Sequence, residues 1–283
     1  MKPIRGHTVR GLRWVERGHG VPVLILSGFG VAESVLGPLA DRLAARHHVL
    51  TFDASGVGGS WRRRAPVTTA QMAHDALEVL DHHHIDRAHV YGISLGGMVA
   101  QEVALAAPHR LRSLILASTS AGGWSAPSPG PVTMARELAR SGHLLTGVAR
   151  PSKRTSFRQA WAAATHDATG RLDQISAPTL ILHGARDRLV PRGNGVILAR
   201  GIPDAELHVL PGRNHLFPLD PADPAVALVE DRIARLEQPL VPSAPAPAGR
   251  PAPVAVAGQL VRTVLAPALP SMRLMRTMVD RRY

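Results

Sequence analysis

Apolar residues recur along this chain with two periods. Val21-Pro22-Val23-Leu24-Ile25-Leu26 is almost unbroken, as a strand buried on both faces must be. Val49-Leu50-Thr51-Phe52, Ala88-His89-Val90-Tyr91, Leu114-Ile115-Leu116, Pro178 to His183 and Glu206 to Leu210 read as further strands. Between them lie stretches with apolar residues at helical spacing. Glu33 to Arg46 carries Val35, Leu36, Leu39 and Leu43; a helix capped by Thr68 or Thr69 and running to His82 carries Met72, Ala76, Val79 and Leu80. Leu95 to Ala107, Arg192 to Arg200 and Ala222 to Leu236 complete the set, and Thr8 to Glu16 alternates loosely enough for one or two edge strands. Strand and helix in alternation predict an α/β fold, a mostly parallel doubly wound sheet.

The alternation fails between Ser118 and Ile175. Prolines 127, 129 and 131 come first, then helical pieces at Met134 to Arg140 and Ser156 to Ala164. A break of about 55 residues over the strand ends predicts a small helical cap. The domain reading is therefore a core of residues 1–118 and 176–238 with a cap at 119–175. Residues 239–253 hold six prolines and read as a Pro/Ala-rich linker. Residues 254–283 are basic and amphipathic: Leu260, Val261, Val264 and Leu265 share one helical face, and Met272, Met275, Met278 and Val279 another. Such a tail suits a peripheral membrane or particle-surface contact, docking onto its own domain or a partner subunit, or disorder.

Composition narrows the function classes. The chain has 283 residues, no cysteine and a formal net charge of +12. Without cysteine there is no disulfide, thiolate metal site or cysteine nucleophile. The arginines are spread over every segment, with Arg62-Arg63-Arg64 the one tight run, and aromatics make up only 4%. A solvated basic surface is expected rather than a nucleic-acid interface. Met1 to His7 shows no apolar leader and no run is long enough to span a bilayer, so the expected location is the cytoplasm.

Gly92-Ile93-Ser94-Leu95-Gly96 carries the chemistry. It fits the G-x-S-x-G nucleophile elbow between a buried strand and a helix. A serine hydroxyl at neutral pH needs a base to take its proton, and the base needs an orienting acid. Asp187 follows the strand ending at His183, and His215 follows the strand ending at Leu210. Order along the chain is then Ser, acid, His, each on a loop past a strand end. Of the fifteen histidines, His215 alone has that order and position. An oxyanion needs two donors. The Leu95 N–H at the helix start is one, and the Phe29 N–H in Ser27-Gly28-Phe29-Gly30 is the expected second.

Together these features resemble the α/β-hydrolase family over residues 4 to 237. Phe52-Asp53, Gly56-Val57-Gly58-Gly59-Ser60, Ala177-Pro178-Thr179-Leu180, Ile202 to His208, His215-Leu216-Phe217 and Thr119-Ser120-Ala121-Gly122 are similar to intracellular poly(3-hydroxyalkanoate) depolymerases. Two departures stand out. Ser27-Gly28 replaces the usual His-Gly, and the cap is short for a depolymerase. The resemblance implies a serine hydrolase acting on a small-molecule or oligomeric carboxylic ester, apolar or hydroxyalkanoate-type, with no metal and no cofactor. An acyltransferase or cyclase on the same scaffold, and a non-catalytic binding homologue, stay open alternatives. Met98, Trp124, Trp161 and Phe217 are the candidate substrate-binding residues, with core packing an equal reading for each.

Overall fold

The computed structural model describes residues 2–61, 67–123, 126–130, 132–133, 136–137 and 151–238. The aliphatic runs become strands: β1 (Ile4–His7), β2 (Arg13–Arg17), β3 (Val21–Leu26), β4 (His47–Phe52), β5 (Ala88–Ile93), β6 (Leu111–Ala117), β7 (Thr179–Gly184) and β8 (Ala205–Leu210). They form one sheet in the order β1-β2-β4-β3-β5-β6-β7-β8. At one edge β1 pairs antiparallel with β2 and β2 antiparallel with β4, and the remaining pairings, from β4 through β3 to β8, are parallel. Helices α1 (Glu33–Leu43), α2 (Thr69–His82), α3 (Leu95–Ala106), α4 (Lys153–Ala164), α5 (Gly193–Gly201) and α6 (Ala225–Glu237) complete the described elements.

Alternation within each strand divides the core in two, because successive side chains point to opposite faces. Leu24 and Leu26 of β3, Leu114 and Leu116 of β6 and Ile181 of β7 pack with Val79, Val99 and Leu198 from α2, α3 and α5. Val23 and Ile25, Ile115, and Leu180 and Leu182 pack on the other face with Leu36, Leu39, Val226 and Ile233 from α1 and α6. Both faces of the central strands are covered, which is why their sequences run apolar without interruption.

Element ends shift where a cap decides them. The Thr68 hydroxyl accepts the Gln71 N–H at 3.1 Å and so starts α2. The Ser152 hydroxyl accepts the Thr155 N–H at 3.2 Å, so α4 begins at Lys153, three residues before the periodicity places it. The final helix starts at Ala225 rather than Ala222, behind Pro224. Arg62 to Arg64, Trp124, much of Met134–Arg140, the linker at 239–253 and the tail at 254–283 lie outside the described residues. Among the described residues no helix is long and apolar enough to cross a membrane.

One polar knot anchors the edge strands. The buried Asp53 carboxylate accepts the Glu33 N–H at 2.6 Å, the Gly59 N–H at 2.9 Å and the Arg13 guanidinium at 2.9 Å. Arg17, also buried, bonds Glu33, Asp41 and Thr51. The Asp53 to Ser60 phrase thus ties the loop after β4 to β2 and α1, satisfying charges that burial would otherwise penalise.

Candidate active site

Ser94 stands between β5 and α3 with φ 54° and ψ −120°, a left-handed conformation that costs a non-glycine residue free energy. Its neighbours explain how the turn closes. A Cβ on Gly92 would lie 2.4 Å from the Gly96 carbonyl oxygen, and one on Gly96 would lie 2.1 Å from the Leu26 oxygen. Only glycine permits that approach of elbow to β3. The Ser94 N–H donates to Ala117 at 2.9 Å, and the Thr119 hydroxyl donates to the Ser94 carbonyl at 2.7 Å, so both ends of the peptide are held.

Asp187 and His215 arrive from the ends of β7 and β8. The His215 loop folds across β7: Arg186 N–H donates to the Arg213 oxygen at 2.8 Å, and a Cβ on Gly184 would sit 2.5 Å from that same oxygen. His215 Nδ1 lies 2.8 Å from Asp187 Oδ2, and its Nε2 lies 3.0 Å from Ser94 Oγ. A carboxylate only accepts, so Nδ1 carries the hydrogen and donates it to Asp187. In the neutral ring Nε2 is then bare and accepts the serine hydroxyl proton.

Asp187 is buried and pairs with neither Arg186 nor Arg188 among the described residues. Its Oδ1 accepts the N–H groups of Leu189 at 3.0 Å and Val190 at 2.8 Å. His183, on β7, donates from Nε2 to the Val190 carbonyl at 2.8 Å, which braces the same loop. Burial, only partly offset by that bond and by Asp187, lowers the His183 pKa and keeps it neutral. It is a brace the strand-end reading passed over.

The loop Ser27 to Gly30 lies against Ser94. A Cβ on Gly28 would come 3.4 Å from Ser94 Cβ and 3.9 Å from its Oγ. Leu95 opens α3, where no carbonyl four residues back within the helix awaits its N–H. Phe29 sits in the turn closed by Val31 N–H to the Gly28 oxygen at 3.2 Å. One contact here has no counterpart in the sequence reading: the Gly30 N–H donates to Oε1 of buried Gln159, on α4, at 2.7 Å. Behind Ser27, a 20 Å³ cavity is lined by Leu26, Phe52, Met72, Asp75 and Gly96, among others. It is room for one water.

The four candidate substrate contacts separate. Phe217 is buried in the core beside α1 and α6, and Met98 packs against the opposite core. Trp161 is 55% exposed on α4. Trp124 lies outside the described residues.

Comparison with known proteins agrees with this architecture. Residues 21–162 match the family model for the alpha/beta hydrolase fold. The chain is 31% identical over 233 residues, 71% of its length and 86% of the relative's, to a protein of Azorhizobium caulinodans named as a carbamate hydrolase, RutD. It is 29% identical over 237 residues to a poly(3-hydroxyalkanoate) depolymerase of Ectopseudomonas oleovorans, covering 75% of this chain and 83% of that one. A thermophilic esterase of Thermogutta terrifontis shares the fold with a TM-score of 0.69 and 20% identity, over 84% of this chain and all of that one. The chain belongs to the alpha/beta hydrolase family. Its relatives are hydrolases, and hydrolase chemistry on this scaffold is what the membership supports.

Proposed function

We propose that the protein is a serine hydrolase that cleaves a carboxylic ester through an acyl-enzyme, with Ser94, His215 and Asp187 as its triad. The observation that carries this reading is the unbroken chain of contacts from Asp187 through His215 to Ser94, 2.8 and 3.0 Å. His215 Nε2 takes the hydroxyl proton as Ser94 Oγ attacks the ester carbonyl carbon. Negative charge moves onto the carbonyl oxygen, where the Leu95 and Phe29 N–H groups are the proposed donors. As the tetrahedral centre collapses, the C–O bond to the alcohol breaks and His215 protonates the departing oxygen. Water then repeats the sequence, giving its proton to His215, attacking the acyl carbon and releasing the acid and Ser94. Asp187 holds the ring in the tautomer that leaves Nε2 bare, and it stabilises the imidazolium that forms.

The substrate class proposed is an ester with an apolar or hydroxyalkanoate-type acyl group. The relative named as a depolymerase supports it, and the relative named as a carbamate hydrolase supplies the competing leaving group. A chain-length series of activated esters, hydroxyalkanoate oligomers and a carbamate, assayed in parallel, tests the choice. Medium-chain esters should turn over fastest with a product mass gain of one water, and Ser94 should be labelled by a fluorophosphonate. Ser94→Ala should lose about 10³- to 10⁶-fold in turnover. Near-wild-type activity in that variant sinks the triad, and product without added water points to acyl transfer or cyclisation instead.

A further inference from the structure

Helix α4 is two-sided in an unusual way. Its inner face, Thr155, Gln159 and Ala162, is buried, and Gln159 reaches the loop beside Ser94. Its outer face is formed by Lys153, Phe157, Ala160, Trp161 and Ala164, all exposed. Phe157 is 70% and Trp161 55% open to solvent, and they stand four residues apart, adjacent on the helix surface. Two large aromatic rings on one surface stripe are a costly arrangement in water unless something covers them.

Charge decides what the cover is. The helix begins with Lys153 and Arg154 and contains no acidic residue. The whole 119–175 segment has seven Lys and Arg against three acidic residues. A second copy pairing through the same stripe would offer Lys153 and Arg154 no acidic partner, because the helix has none. Residues 254–283 carry Arg262, Arg273, Arg276, Arg281 and Arg282 against the single acid Asp280, so they are no better matched. A surface both apolar and anionic complements the stripe. Aromatic rings settle at the boundary of headgroup and acyl chain, with lysine and arginine beside the anionic groups.

We propose that the outer face of α4 is a docking surface for a bilayer containing anionic phospholipid, seated through Phe157 and Trp161 with Lys153 and Arg154 on the headgroups. This assignment stands on the exposed stripe and its charge, and it does not depend on the reaction at Ser94. The inner face of the same helix meets the Ser94 loop, so docking turns the strand-end pole of the molecule toward the lipid.

Co-sedimentation of the full chain with phosphatidylglycerol–phosphatidylcholine vesicles, against pure phosphatidylcholine vesicles, tests it. Binding is expected to the anionic vesicles, to weaken with added salt, and to be absent from neutral ones. Phe157→Asp should lower the partition coefficient at least about tenfold. Its melting temperature should stay near that of the parent because the ring is exposed, and Phe157→Ala repeats the measurement without a new charge. Turnover of a soluble ester should be unchanged in both. Three outcomes overturn the proposal: no sedimentation with anionic vesicles, undiminished binding of both Phe157 variants, or a solution dimer that Phe157→Asp dissociates while vesicles are ignored.

Discussion

Gln159 accepts the Gly30 N–H at 2.7 Å, joining the inserted helix to the loop that lies against Ser94. Pro151 reinforces the contact: a Cβ on Gly30 would sit 3.3 Å from its ring. The amide oxygen is the only acceptor that the Gly30 donor has among the described residues. Gln159→Leu removes it and leaves a half-buried N–H unpaired, which should loosen the neighbouring Phe29 N–H, the proposed oxyanion donor. Turnover of a soluble ester should fall about tenfold in kcat with KM nearly constant. Gln159→Glu keeps an acceptor in place and should recover most of the loss. Equal losses in both variants would mean that Gln159 only packs.

Asp187 sets the tautomer of His215. Asp187→Asn keeps the shape but can turn an amide donor toward Nδ1, favouring the ring form whose Nε2 carries hydrogen and cannot accept the Ser94 proton. A loss on the order of 10³- to 10⁴-fold in kcat is expected at neutral pH. Steady-state kinetics on an activated ester, with circular dichroism to verify the fold, checks it.

Two glycines around Ser94 should respond in opposite ways. A methyl group on Gly96 meets the Leu26 backbone oxygen at 2.1 Å, whereas one on Gly28 meets Ser94 Cβ at an ordinary 3.4 Å. Gly96→Ala should therefore destabilise the fold by about 3 kcal/mol or more, or prevent soluble expression. Gly28→Ala should melt within a few degrees of the parent and lose turnover instead, because the methyl crowds the ground where a carbonyl would sit. Thermal melts of both variants decide.

Acid should unfold this protein early. Burial lowers the pKa of His47, His83, His89 and His183, taking His89 down to about 4. Each stays neutral in the native state at pH values where the unfolded chain, titrating near the ordinary 6.5, takes up a proton. The unfolded state then binds more protons, so stability is full above about pH 6.5 and is lost as pH falls toward 4. His89 alone accounts for a loss on the order of 2–3 kcal/mol. Urea unfolding at a series of pH values should show that decline, and His89→Gln should make it shallower. Glu102 acts much lower. Burial raises its pKa, but hydrogen bonds with His166 and Arg171 outweigh that and hold it at about 2. Its stabilisation is present above about pH 4.5 and disappears only as pH falls through 2.

The central strands were readable because both faces are buried, so Val21–Leu26 and Thr179–His183 needed no outside information. The places of Ser94, Asp187 and His215 were readable because each lies on a loop within a few residues of a strand end. What was not readable depends on distant partners. Gln159 is an ordinary mid-helix residue until Gly30, 129 positions earlier, is placed beside it. Phe157 and Trp161 carry helical spacing but nothing that says which side of α4 meets the core. Phe217 next to His215 suggests a pocket wall, yet the turn after His215 delivers it to the core under α6. The start of α4 was legible in principle, through Ser152 just ahead of Lys153.

The bond network at the far pole fixes where the last described helix ends. His89 Nε2 donates to Glu237 Oε1 at 3.1 Å, its Nδ1 accepts the Ser113 hydroxyl at 2.7 Å, and Arg112 clamps both Glu237 oxygens. His89 lies five residues before Ser94 on one extended strand, a separation of about 17 Å. The two poles can therefore be handled independently. Coupling the protein to a bead or a fusion partner beyond Gln238 should leave the entrance to Ser94 facing outward, which makes that junction the natural point for immobilising it as a working reagent.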